Sequence, residues 1–404
     1  MRRICVVLVT LFLVSVCTSS IAAQPKTTVS PDFFTAREAE IINDPGFQSF
    51  LNALTYVKRF HIKGKEISTK QLLFGAIRGA VAAIDDKYSE FIPAEEEVAY
   101  FSKKVGVYPG FGFTYKIVGG YPTVFSVDEG DPAAEAGLKV GDVIYRYNAT
   151  PLQSIPLKKV SIMMTPDTSN TKAILSVGRG NPRTSVEITM TSTTIEYSAV
   201  TSSVLTCPAG YSVTSILIDQ FTENAVQQLD QIMGDILRTD CRGIVLDLRD
   251  CGGGCADAAE DILSYFIGDG VLITTQECGD GRHSDSRSKQ SKFRKTLKTH
   301  RPMGWEKIRR VPVVCLVNRG TASASEVVAL ALREYHHAPL IGEKTFGKGV
   351  GQTYLKLGSL GQIKLTTNRW TSAKGVSVQG VGIKPDYEIK DHEAQVNKAL
   401  SLFK

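Results

Sequence analysis

Two apolar runs, each too short for a helix and each closed by a glycine-bearing turn, constrain this chain more than anything else in it. Gly243-Ile-Val-Leu-Asp-Leu-Arg249 runs into Asp250-Cys-Gly-Gly-Gly-Cys255, and Val313 to Val317 runs into Arg319-Gly-Thr-Ala. A short, unbroken apolar run bounded by turn residues is the pattern of a buried strand. Tyr211 to Asp219 reads as a further strand, and Glu223 to Leu237 as an amphipathic helix capped near Thr222. Strand, helix, strand, glycine turn and helix in succession require crossover connections. The expected core is therefore an α/β sheet with parallel pairing.

The second turn delivers Ser323 to the first turn of a helix running to about Glu334. A hydroxyl at that point lies beside backbone N–H groups that have no intrahelical acceptor, where an oxyanion would be stabilised. Further on, Phe346-Gly-Lys-Gly349 holds Lys348 between glycines. Such a lysine can approach another segment closely and lose its water, which lowers its pKa, and only the neutral amine can take a proton from a serine. Taken singly, each feature has an ordinary explanation. Ser323-Ala-Ser-Glu326 fits a capping box, and a lysine in a glycine turn is usually just solvated.

Taken with their setting, the Ser-Ala-Ser-Glu and Phe-Gly-Lys-Gly blocks, 25 positions apart from serine to lysine, resemble the C-terminal processing peptidases, or tail-specific proteases. Those enzymes use a serine–lysine dyad on a crotonase-like α/β core. The resemblance extends from about residue 35 to about residue 390. It implies that Ser323 is the nucleophile, Lys348 the general base and Gln352 the residue that orients the lysine. It also implies an oxyanion hole from Gly253 or Gly254 with Ala324, in a loop where Cys251-Gly252 replaces the Asn-Pro of many relatives. Glu334 falls where relatives carry an acidic residue. Eleven residues of helix return it to the face of Ser323 but ~16 Å along the axis, so its expected part is a supporting ion pair or hydrogen bond.

Val105 to about Thr193 reads as a PDZ module. Gly110-Phe111-Gly112-Phe113 opens it, and Asp131 to Leu138 followed by Val140-Gly-Asp-Val-Ile144 continues it in register. A glycine loop before a strand can point successive N–H groups at a peptide's terminal carboxylate, while the strand edge pairs with the peptide backbone. Phe111 and Phe113 would shape the pocket for an apolar last side chain. Phe34 to about Phe101 has helical periodicity, with Ser68 or Thr69 as a cap, and ends in Asp85-Asp86-Lys87-Tyr88-Ser89, a segment that relatives also carry. Its apolar stripes are expected to be core or a dimer seam. After Lys348 come strands at Gln352 to Leu357 and Ile363 to Thr367, a closing motif from Trp370 to Asp386, and an amphipathic helix from Asp391 to Leu402.

The organisation expected is thus a signal peptide (1–22), an N-terminal helical region (23–102), a PDZ domain (103–193), the protease core (194–390) and a C-terminal helix (391–404). The signal is Met1-Arg-Arg, an apolar run from Ile4 to Val16, and small residues at Ser20 and Ala22. Export to the periplasm or cell envelope follows. A lipoprotein anchor at Cys17 is not expected, because Val16 is bulkier than such sites prefer. Six cysteines remain beyond the signal, and their pairing cannot be read from sequence. Cys251 and Cys255 lack two further well-placed ligands, so no zinc site is expected, nor any other cofactor.

The net charge of +6 is concentrated between Gly281 and Arg310, in Arg282, Arg287, Lys289, Lys292, Arg294, Lys295, Lys298 and Arg301. A solvated, mobile loop is the expectation there, ahead of a docking surface for an anionic partner. Few aromatics accompany these charges, which argues against nucleic acid. The function expected is an exported serine endopeptidase acting on proteins or peptides with apolar C-termini, with an adaptor or a homo-oligomer as further partners. The rival is an inactive PDZ-bearing scaffold or chaperone of the cell envelope, in which Ser323 is only a cap.

Overall fold

The computed structural model describes residues 40–404 except 290–293, 296 and 299. The segment expected to direct export, with Cys17, and Lys292 lie outside the described residues. The chain divides into two compact units, Met1–Leu73 and Phe74–Lys404. In the first, helix Pro45–Phe60 starts at Asp44, whose carboxylate accepts the Gly46 N–H at 2.6 Å, and none of its residues is buried. A second helix, Thr69–Ala82, runs past the boundary at Leu73 and is capped by Ser68. Its hydroxyl accepts the Gln71 N–H (3.1 Å) and Gln71 Oε1 accepts the Ser68 N–H (2.7 Å), a complete capping box.

The second unit is mixed α/β with several sheets. Residues 107–196 form a module whose two ends pair with each other, Val107–Gly110 running antiparallel to Thr193–Glu196. Between them lies an antiparallel sheet in the order Phe113–Val118, Tyr121–Val127, Val143–Tyr147, Lys172–Arg179, Thr184–Thr191. Helix Leu157–Met164 covers it, and Phe111, Ile144, Leu152, Val160 and Leu175 fill its core. Strand Phe113–Val118 is an edge, so its outer row of backbone groups is open to an added strand.

The main sheet runs Val200–Thr206, Ser212–Ile218, Cys241–Asp247, Val313–Val317, Leu340–Gly342, Tyr387–Glu388. The first pair is antiparallel and the remainder parallel. Both apolar runs singled out in the sequence sit side by side at its centre. Helices Ala225–Arg238, Ala256–Ile267 and Ala324–Tyr335 contribute Leu229, Ile262 and Val328 to the core with Ile216, Leu246 and Cys315. The Ala225 helix starts at Asn224 and not at Thr222: the Thr222 hydroxyl donates to Asn224 Oδ1, and Asn224 Nδ2 donates to the carbonyls of Gly106 and Tyr197. A second sheet contains Gly361–Ser372, a strand of 12 residues, longer than its local pattern suggested. It pairs with Glu90–Pro93, Leu272–Cys278 and Val350–Lys356, and partners so distant in sequence leave no local trace of where it ends.

The basic stretch departs from expectation. Arg294 is fully buried, with Nε donating to Asp261 at 2.9 Å and Nη1 bonded to Asp230, whose other partners include the Tyr265 hydroxyl. Arg301 pairs with Asp269 and lies 4.1 Å from the Trp305 ring centroid. The acids that neutralise Arg294 sit on two helices well upstream, which is why the stretch looks unbalanced in isolation. Arg294→Met deprives two buried carboxylates of that cation, and is expected to cost about 3–5 kcal/mol. Urea unfolding measures it. A loss under ~1 kcal/mol would mean that the site is solvated.

Candidate active site

Ser323 begins the Ala324–Tyr335 helix with φ 58° and ψ −119°, a left-handed conformation that a non-glycine residue holds at a cost of about 1–3 kcal/mol. The surroundings impose it. Thr321 Oγ1 donates to the Leu248 carbonyl (2.8 Å), and the Ala322 N–H and the Ser325 hydroxyl both donate to the Cys251 carbonyl (3.0 and 2.9 Å). Asn318 bridges the two turns: its Oδ1 accepts the N–H groups of Asp250 and Gly320, and its Nδ2 donates to Asp250 Oδ1. The turn bearing Ser323 is therefore stitched to the glycine loop along its length. With Cys251 buried and its carbonyl doubly engaged, this loop is held without the Asn-Pro pair.

Gly253 and Gly254 have φ 95° and 144°. A Cβ on Gly253 would stand 2.9 Å from Ser323 Cβ and 2.9 Å from Ala324 N, so only glycine admits this contact. Gly254 is pinned by pairing with Phe221, whose carbonyl accepts the Cys255 N–H and whose N–H donates to the Gly253 carbonyl. Ala324 opens the helix, where its N–H has no intrahelical acceptor. The glycine loop and the helix start thus converge on Ser323.

Glu326 does more than its sequence position suggested. It is fully buried, and one carboxylate oxygen, Oε2, accepts the N–H of Ser323 at 2.9 Å and the N–H of Lys348 at 2.8 Å. The other oxygen accepts the Thr345 hydroxyl (2.6 Å) and the Gly347 N–H (2.8 Å). Ser323 and Glu326 thus stand in the capping-box arrangement expected from the sequence, the Glu326 half being the 2.9 Å hydrogen bond from the Ser323 N–H. A single oxygen ties the serine backbone to the lysine backbone.

The lysine loop is clamped from its far side by the closing motif. Gly347 and Gly349 lie against residues 378–382 so closely that a Cβ on either would meet backbone at 2.7–2.8 Å. Gln379 Oε1 accepts the Gly349 N–H at 2.7 Å. Lys348 Nζ lies 4.8 Å from the Tyr88 ring centroid, beside a cleft lined by Asp85, Asp86, Lys87, Tyr88 and Gln379. Burial holds its pKa below the ordinary lysine value; Lys364 and Lys104 push the same way, against Asp86 and Glu326. Burial opposes the charge of Asp86 too, but hydrogen bonds from Ser89, Thr366 and the Tyr88 N–H, and the Lys348 charge, leave its carboxyl below the usual range.

The other residues singled out in the sequence are placed as follows. No hydrogen bond joins Ser323 Oγ to Lys348 Nζ among the described residues. Gln352 donates to the Thr366 hydroxyl (3.2 Å) on the neighbouring strand. Glu334 lies at the far end of the Ser323 helix, where Oε1 accepts from Ser372 Oγ at 2.6 Å, and braces the turn at residues 372–376. In the 107–196 module Phe111 is a core residue, Phe113 opens the edge strand, and Gly112 takes φ 74° against Asp131. Gly110 is buried against Ile195. Sequence reasoning missed Asn318, the second half of Glu326 and the contact of Tyr88 with Lys348. For the last there is a sequence signal, the Asp85-to-Ser89 segment that ends the helical region and that relatives also carry. All six described cysteines are free thiols, and full burial pushes Cys315 up to about 12.

Residues 212–389 match the model of peptidase family S41. The chain is 30% identical over 326 residues to the carboxy-terminal-processing protease of Bartonella bacilliformis, covering 80% of this chain and 70% of that one. It is also 30% identical over 315 residues to the carboxy-terminal processing protease CtpA of Bacillus subtilis, covering 78% of this chain and 63% of that relative's length. Among solved structures, the photosystem II D1 C-terminal processing protease shares the fold with a TM-score of 0.50 and 24% identity, over 87% of this chain and 90% of that one.

Proposed function

Because the chain belongs to the C-terminal processing peptidases of peptidase family S41, we propose that it is an exported serine endopeptidase in which Ser323 and Lys348 are the reacting pair. The 107–196 module acts as a PDZ domain, taking apolar protein C-termini on its edge strand and on the Phe111–Gly112 loop. The neutral Lys348 amine accepts the Ser323 proton as Oγ bonds to the scissile carbonyl carbon. Backbone N–H groups of Ala324 and Gly253 or Gly254 stabilise the oxyanion. Collapse breaks the C–N bond, the departing amine takes the proton from Lys348, and water hydrolyses the acyl-enzyme with the same amine as base. Gln352 orients the lysine once substrate is bound, and Glu334 supports the helix from its far end.

The observation that carries this reading is the shared Glu326 oxygen. A serine that merely capped a helix would need neither a lysine backbone bonded to the same carboxylate nor a glycine pressed against its Cβ. The test is to incubate the purified protein with an unfolded polypeptide ending in apolar residues, and to follow both fragments and the mass of the Ser323 peptide. New fragments and an acyl adduct on Ser323 are expected. Binding without fragments would sink the reading in favour of a scaffold.

A further inference from the structure

Past the lysine loop, strands Val350–Lys356 and Gly361–Ser372 are paired so that Gln352 faces Thr366 and, two residues further, Tyr354 faces Lys364. Residues two apart in a strand share a face, so both rungs lie on one surface. Helix Glu97–Val105 brings Lys104 onto that surface. Its Nζ donates to the Tyr354 hydroxyl at 3.0 Å and lies 4.2 Å from the ring centroid. The same helix ends against the segment that holds the glycine loop: Glu223 N–H donates to the Lys104 carbonyl and Asn224 N–H to the Val105 carbonyl, with Phe221 pairing to Gly254 just before. Lys104 therefore stands between the oxyanion loop and the strand that follows the lysine.

The charges around it do not balance locally. Lys364 is paired with Glu90 at 3.1 Å, and Glu90 also accepts from the Tyr100 hydroxyl. Asp86 is engaged by Ser89 and the Tyr88 N–H, and Glu326 by four donors. Lys104, half-buried, donates to the Tyr354 hydroxyl and lies over the Tyr354 and Phe101 rings. Among the described residues no carboxylate lies within salt-bridge distance of its Nζ. An ammonium has three donors, and one is spent here. A carboxylate arriving at this point would gain charge-assisted hydrogen bonds in partly desolvated surroundings.

We propose that Lys104, backed by Tyr354 and Lys364, is a subsite for a carboxylate of the bound chain, drawn from its free C-terminus or from an acidic side chain alongside the scissile bond. This rests on the reading of Ser323 and Lys348 as the reacting pair. The experiment uses one quenched peptide sequence in three forms: free carboxylate, carboxamide, and carboxamide with a glutamate replacing a glutamine near the end. Wild-type protein is expected to show a KM about tenfold lower for a carboxylate-bearing form, the scale of one charge-assisted hydrogen bond. Lys104→Met brings the ratio to near one and Lys104→Arg restores it; the favoured form identifies the source of the carboxylate.

Two results overturn the subsite. One is a wild-type preference that is absent or that survives in Lys104→Met, which assigns any discrimination to another surface such as the Phe111–Gly112 loop. The other is an equal loss on all peptides with a shifted pH profile, which makes Lys104 only a tuner of Lys348. The same peptides are titrated against Ser323→Ala with and without Lys104→Met. A Lys104-dependent preference in binding, with no cleavage by wild type, would remove the peptidase reading and keep the subsite; no such preference removes the subsite itself.

Discussion

Lys348→Met is expected to lower kcat/KM by about 10⁴-fold or more, as is Ser323→Ala, because each removes a member of a unit that acts together. The fold should survive both. Losing the Ser323 hydroxyl from its capping box costs about 0.5–2 kcal/mol, and methionine keeps the stem of Lys348 against Tyr88 without a charge to desolvate. In fact Lys348→Met should be at least as stable as wild type near neutral pH. The folded-state pKa of Lys348 is depressed below its ordinary value of 10.5. Below the depressed pKa the folded protein carries the full penalty of a desolvated ammonium. Between it and 10.5 the unfolded chain holds a proton that the folded one has released, so wild-type stability rises with pH across that window. The advantage of Lys348→Met should shrink over the same range. Wild-type kcat/KM should rise with pH with a midpoint below 10.5, since only the neutral amine accepts the serine proton. Thermal unfolding and pH–rate profiles measure both effects. Cleavage at an undiminished rate by Lys348→Met would take the amine out of the mechanism.

Glu326→Gln should be nearly as damaging, although it changes one atom. Each oxygen of this buried carboxylate accepts two donors, from Ser323 and Lys348 on one side and from Thr345 and Gly347 on the other. Whichever way the amide is turned, its NH₂ faces two donors with no acceptor. Each unsatisfied buried group costs about 1–3 kcal/mol, so a loss of about 3–5 kcal/mol is expected. Displacing the serine relative to the lysine by even ~1 Å costs on the order of 10²-fold in rate. A third readout separates this positioning part from a plain structural one. The Glu326 charge favours protonated Lys348, so its removal should move the rising limb of the pH profile to lower pH in whatever activity remains. Wild-type stability and rate in Glu326→Gln would dismiss the bridge.

The family resemblance could single out Ser323 and Lys348 because both blocks are local: a strand-turn-helix pattern for Ser323 and a glycine-flanked lysine. The core sheet was legible for the same reason, as fully buried strands leave unbroken apolar runs. What misled was charge. Eight cations with almost no acid nearby looked solvated, and Arg294 instead fills a buried site between Asp230 and Asp261. The sequence places the cap of the next helix near Thr222, and the helix starts at Asn224, to which the Thr222 hydroxyl donates. Periodicity along a chain reports which face is buried, and says nothing about which distant charge meets it.

By itself, then, the sequence determined the strand order's parallel character, the turn that exposes Ser323 and the glycines that let Lys348 come close, since each follows from backbone sterics and apolar spacing over a few residues. Only the tertiary structure decided that Glu326 joins the two backbones, that the Tyr88 ring lies by the amine, and that Lys104 meets Tyr354 with no carboxylate within salt-bridge distance among the described residues. Those contacts join residues up to 260 positions apart, as Tyr88 and Lys348 are. They depend on desolvation and on hydrogen-bond partners, which exist only once the chain has closed on itself.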